Sequence, residues 1–116
     1  MRRVLLLFCL LPLLAWAADI SGKWQFTVDL GGQGGTPTFT FKQSGEKLTG
    51  RYQGALGEAD LAGTVKGDKM EFQFTVKGDL GELTAKYAGT ISGDTIKGTT
   101  EYGDLGSGTF TAKRAQ

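Results

Sequence analysis

The stretch Lys69-Met70-Glu71-Phe72-Gln73-Phe74-Thr75-Val76-Lys77 alternates apolar and polar residues without a break. A period of two puts Met70, Phe72, Phe74 and Val76 on one face and Glu71, Gln73 and Thr75 on the other, which describes a strand with one dry side and one wet side. Upstream, Trp24, Phe26, Val28 and Leu30 alternate in the same way with Lys23, Gln25, Thr27 and Asp29. Further strands read around Phe39 and Phe41, from Leu48 to Tyr52, from Leu61 to Val65, from Leu83 to Ile91, from Ile96 to Tyr102 and from Phe110 to Arg114. That makes eight strands, and no helical period occurs after Ala18.

The segments Ser44-Gly45-Glu46-Lys47, Lys66-Gly67-Asp68-Lys69 and Ser92-Gly93-Asp94-Thr95 each place glycine where a two-residue hairpin needs a positive φ. Between these hairpins lie four links read as longer: Leu30 to Gly35, Ala55 to Glu58, Gly78 to Glu82 and Gly103 to Gly108. Ala62-Gly63-Thr64 recurs as Ala88-Gly89-Thr90, so the chain is a meander of similar hairpins. A flat meander would leave its apolar face in water. Closing the sheet buries that face and removes both edges, so the expected fold is all-β, an eight-stranded antiparallel up-and-down β-barrel, with a β-sandwich as the alternative. Gly50, Gly63, Gly89 and Gly98 fall on the inward phase, where a missing side chain permits strong curvature and leaves room for aromatics.

The chain has 116 residues, 40% hydrophobic and 22% charged, with 19 glycines, one cysteine and no histidine. Its start reads as an export signal: Arg2 and Arg3 are basic, Val4 to Leu14 is apolar, and Ala15-Trp16-Ala17 is a small-x-small cleavage pattern. The expected organisation is a signal peptide at 1–17 and a single barrel domain at 18–116, periplasmic or secreted after cleavage near Ala17. Cys9 lies inside the leader, so that domain has no cysteine and must be held by its core rather than by disulfides.

A formal charge of +1 supplies no field for phosphate backbones, which excludes nucleic acid as an expected partner. Without histidine, the usual general base, triad orienter and zinc ligand are all missing. The only catalytic candidates are carboxylates such as Glu58, Glu82 and Asp104, at no spacing that demands catalysis, so the reading leans away from an enzyme and assigns no catalytic residue, metal or cofactor. The final strand ends Thr111-Ala112-Lys113-Arg114 with no aromatic girdle, which argues against an integral membrane barrel.

Gly22-Lys23-Trp24 at the start of the first strand, with Arg114 at the end of the last, resembles the calycin group of barrels, which includes lipocalins and avidin-type proteins. In those families a G-x-W tryptophan closes one barrel end beneath a basic side chain, and the resemblance implies that role for Trp24 and Arg114. Leu48-Thr49-Gly50-Arg51-Tyr52 followed by Ala55-Leu56-Gly57 also looks like the third strand of avidin-type barrels. No biotin-contacting residue carries over, because Trp24 is the only tryptophan after the leader. In size and layout the chain is similar to small exported bacterial β-proteins.

Alternating strand direction gathers the three glycine hairpins and the chain termini at one end and the four links at the other, the expected mouth. Acids collect near that mouth (Asp29, Glu58, Asp60, Asp79, Glu82, Glu101, Asp104) and bases near the opposite end, an expected axial separation of charge. Each mouth link carries one leucine: Leu30, Leu56, Leu80 and Leu105. The hydroxyls of Tyr52, Tyr87, Tyr102 and Thr100 supply the polar handles of an inward phase with almost no charge. The three tyrosines and the four leucines form the expected ligand-binding set, for a small apolar or neutral molecule. The alternative reading is a structural or interaction module with a filled core, its leucines acting as a plug or meeting a protein partner.

Overall fold

A computed structural model describes residues 19–32, 34–78 and 81–115. The expected leader, its cleavage site, Cys9, Asp79 and Leu80 lie outside the described residues.

Nine strands run in chain order: β1 (Gly22–Asp29), β2 (Gly34–Gly35), β3 (Thr38–Ser44), β4 (Lys47–Gly54), β5 (Gly57–Lys66), β6 (Lys69–Gly78), β7 (Gly81–Ser92), β8 (Thr95–Glu101) and β9 (Ser107–Arg114). From β3 to β9 each strand pairs antiparallel with its successor. β1 pairs with both β3 and β9, which closes an eight-stranded up-and-down barrel. The β-sandwich alternative is thereby set aside.

Alternation along each strand becomes inside and outside. On β6, Met70, Phe72, Phe74 and Val76 are buried while Glu71, Gln73, Thr75 and Lys77 are exposed. The barrel interior is filled by rings: Phe26 lies 4.5 Å from Phe39, 5.1 Å from Phe110 and 5.6 Å from Tyr87, and Phe72 stacks on Tyr87 at 4.9 Å between centroids. Offset and edge contacts at these separations add to the stabilisation from burial alone. Inward glycines make the room, since Gly50 stands opposite Phe41, Gly63 opposite Phe72 and Gly98 opposite Phe110.

The three expected hairpins are two-residue turns. Their glycines, Gly45, Gly67 and Gly93, have φ of 65°, 63° and 62°, a conformation costly for any side chain with a Cβ. At the mouth the links differ from expectation. Ala55-Leu56 also forms a two-residue turn, because β4 and β5 stay paired up to Gly54 opposite Gly57, and Gly57 takes the positive φ from a flanking position. The β1–β3 link contains the extra strand β2, which pairs back onto Val28 and Asp29 of β1. That pairing covers the part of the β1 edge that β3 leaves at Gln25, where Pro37 has no N–H to offer a ladder. Pro37 instead accepts a hydrogen bond from the Phe26 N–H at 3.0 Å. The β8–β9 link makes one 3-10 turn, Gly103–Leu105.

The end opposite the mouth is sealed by Trp24, which is wholly buried and donates its ring N–H to the Ile20 carbonyl at 2.9 Å. Arg114 covers it, with the guanidinium carbon 4.7 Å from the ring centre. The same guanidinium donates to the carbonyls of Ser21 and Asp19 and to the Asp94 carboxylate, tying the entering chain to the β7–β8 turn. Ile20 is fully buried beneath this clamp, and its N–H donates to Gln43 Oε1. Among the described residues no helix is long and apolar enough to cross a membrane.

Candidate functional site

The links at the mouth surround a cleft of about 500 Å³. Its walls come from four links or strand ends: Val28 of β1 with Leu30 just after it, Thr36 and Pro37 after β2, Ala55 and Leu56 from the β4–β5 turn, and Leu105 from the 3-10 turn. Tyr52 and Tyr102 complete it, and no lining residue is charged. An uncharged concave surface with a few polar atoms suits a neutral, largely apolar molecule.

Leu56 and Leu105 are 39% and 58% exposed, so they rim the cleft rather than plug it. Leu30 is partly buried and packs against the core below. Of the seven residues expected to contact a ligand, Leu30, Leu56, Leu105, Tyr52 and Tyr102 line this one cleft, and Tyr87 lies underneath it. Leu80 is outside the described residues.

Each tyrosine is fixed by its surroundings. Tyr52 stacks on Phe74 at 4.2 Å with the rings 14° apart, and its hydroxyl accepts the Leu56 N–H at 3.3 Å. Tyr87 rises from β7 and shares a hydroxyl–hydroxyl hydrogen bond with Tyr102, which follows β8. Next to them the Thr100 hydroxyl donates to the Lys86 carbonyl at 2.9 Å. Burial raises all three phenols: Tyr102 is pushed up to about 12, Tyr87 is held well above the ordinary range, and Tyr52 is raised with a small opposing effect of the Leu56 N–H. They are therefore neutral near pH 7, able to give and accept hydrogen bonds but not to act as bases. A hydroxyl pair uses one proton between its two oxygens, so the second proton is left for another acceptor.

Three of the seven acids expected to make the mouth acidic, Glu58, Asp60 and Glu82, are in ion pairs on the outer wall. Arg51 bridges Glu58 at 3.1 Å and Asp60 at 2.7 Å, and Lys77 lies 3.7 Å from Glu82. Asp29 accepts the Gly32 N–H within the β1–β3 link. Two of the three catalytic candidates, Glu58 and Glu82, are thus engaged in exposed ion pairs, and Asp104 sits in the first turn of the 3-10 segment. The structure brings no pair of these carboxylates together around the cleft. Among the described residues, no three His, Cys, Asp or Glu side chains cluster as a metal ion would require.

Sequence reasoning missed three features of this site. Tyr52 caps the Ala55-Leu56 turn, Tyr87 pairs with Tyr102, and Pro37 contributes to the wall. The hairpin turns set the registers, Phe39 facing Tyr52 and Tyr87 facing Thr100, but the first contact needs the Ala55-Leu56 turn to fold back onto the Tyr52 hydroxyl and the second needs Tyr102, beyond the end of β8, to bend over Tyr87. No protein-family model matches the chain, and no curated protein matches its sequence.

Proposed function

We propose that the protein is an exported, water-soluble, calycin-like barrel that binds a small uncharged molecule, mostly apolar with one or two hydrogen-bonding atoms, in its mouth cleft. The carrying observation is the cleft of about 500 Å³, apolar and free of charge, set over Tyr52 and Tyr102. Leu30, Leu56 and Leu105 hold the apolar body, and the Tyr102 hydroxyl meets the polar atom while Tyr87 orients it. No covalent step is involved. The polar outer wall and the Trp24–Arg114 clamp support the calycin likeness, and the leader at 1–17 with cleavage near Ala17 supports a periplasmic or secreted location.

The test is titration of the purified protein with Nile red, a neutral apolar dye, beside native mass spectrometry of the protein as isolated. Saturable dye fluorescence that falls about tenfold in affinity in Leu105→Asp, and less in Tyr102→Phe, is the expected result. Absence of saturable fluorescence together with an empty mass spectrum overturns it.

A second reading is favoured by the filled interior beneath the cleft. Here the cleft seats an apolar side chain of a protein partner, and Leu56 and Leu105 form its exposed rim.

A further inference from the structure

The outer wall carries a second concavity. Between β5 and β8 a depression of about 430 Å³ opens toward the hairpin end, bordered by Lys66, Lys69, Lys97, Thr64, Thr90 and Thr99. Its depth has a local cause. Gly89 stands opposite Gly98, and a Cβ on Gly98 would lie 2.0 Å from the Ala88 carbonyl oxygen, so the two backbones approach more closely there than any side chain permits. The strands coil inward, and Ala88 is too small to refill the outer surface.

Register places the three lysines in one row. Lys66 is directly opposite Lys69, Lys69 opposite Thr90, and Thr90 opposite Lys97. With strands about 4.8 Å apart, Lys69 and Lys97 are about 10 Å apart across Thr90, within joint reach of one group. Like charges facing each other across a ladder are destabilising. None of these lysines forms an ion pair with a described residue, and Lys69 Nζ donates only to the Thr90 hydroxyl, at 3.0 Å. One carboxylate, Glu71, borders the depression one row nearer the mouth. Three cations therefore face one anion around a hollow with half-buried Thr64 and Thr90 hydroxyls.

We propose that this wall depression binds a phosphate-type oxyanion carried by a small polar molecule. Lys66, Lys69 and Lys97 converge on the oxyanion as rotatable cationic donors, and Thr90 adds a neutral one. The molecule's body extends along the adjoining depression of about 530 Å³, which shares Thr64, Glu71, Ala88 and Thr99 and continues to Gln73, Lys86 and Glu101, polar groups suited to hydroxyls. Binding relieves the Lys66–Lys69 repulsion. The site is separate from the mouth cleft and does not depend on its occupant.

The experiment is amide-resolved NMR titration of the purified protein with inorganic phosphate, with a hexose phosphate and with chloride at matched ionic strength, beside flotation with phosphatidylglycerol vesicles. Saturable shifts confined to Lys66, Lys69, Thr90, Lys97, Gly98 and Thr99 are expected with inorganic phosphate, extending to Gln73 and Lys86 with the hexose phosphate, which binds about tenfold tighter. Lys69→Gln and Lys97→Gln each weaken binding about tenfold, Lys97→Arg retains it, and Glu71→Gln tightens it. Unchanged mouth resonances in these variants show that the barrel is intact. Equal shifts with chloride, an unaltered affinity in the lysine variants, or vesicle flotation with no response to soluble phosphate would each overturn the proposal.

Discussion

Arg114 and Trp24 are register partners across the β1–β9 seam, and the guanidinium carbon of one stands 4.7 Å above the ring of the other. Closure of the barrel and sealing of its end are thus the same contact. Trp24 is wholly buried, so Trp24→Ala removes a large apolar volume and leaves a void, at a cost of about 3–5 kcal/mol. Arg114→Ala should cost less, about 1–2 kcal/mol, because its side chain is partly solvated. Urea titration of both variants checks the order. A Trp24→Ala loss below about 1 kcal/mol would remove that residue from the core.

Stability is expected to fall in alkali. An unfolded tyrosine ionises near 10.0, whereas folded Tyr102 is pushed up to about 12 and Tyr87 is raised as well. Above pH 10 the unfolded chain releases protons that the folded chain keeps, so the stabilisation is complete below that value and declines as pH rises. The slope is on the order of 1 kcal/mol per pH unit for each such tyrosine. Urea midpoints should fall as pH rises while tyrosinate absorbance grows with unfolding, and Tyr102→Phe should flatten the decline.

Gly98→Ala is expected to cost about 2–3 kcal/mol although the change is one methyl group. The new Cβ would meet the Ala88 carbonyl oxygen at 2.0 Å, and that oxygen belongs to backbone that cannot rotate away. Thermal unfolding of Gly98→Ala against Gly78→Ala, where nothing lies within 4 Å of the added Cβ, isolates the effect.

The Arg51 bridges to Glu58 and Asp60 should contribute little. All three side chains are largely exposed, so Arg51→Gln is expected to shift stability by less than about 1 kcal/mol, with the difference vanishing at high salt. Denaturant midpoints in low and high sodium chloride provide the check.

The strands and the closure were legible because each strand writes its own inside and outside. Phe72 and Glu71 differ in kind, and eight such alternations leave one apolar face that only a closed or folded sheet can hide. The three glycine hairpins were legible for a local reason as well, since φ near 63° at Gly67 needs no tertiary partner. The Ala55-Leu56 turn was not, because its strain is carried by flanking Gly57 rather than by a central residue. Strand β2 escaped because Gly34-Gly35 has no side chain to alternate and is ordered only by the β1 backbone it meets. The mouth residues were found by phase and strand direction, but their partners were not. The Tyr87–Tyr102 bond depends on two strand ends meeting in space, and the wall depression depends on how tightly Gly89 and Gly98 let two backbones coil.

The described chain enters at Asp19 and leaves at Ala115 beside the same clamp, where the Ala115 N–H donates to the Lys23 carbonyl at 2.8 Å. Anything that continues from either of these two described ends therefore leaves from the floor of the molecule. A surface-tethered or tagged version would stand upright, with its opening turned toward the bulk solution.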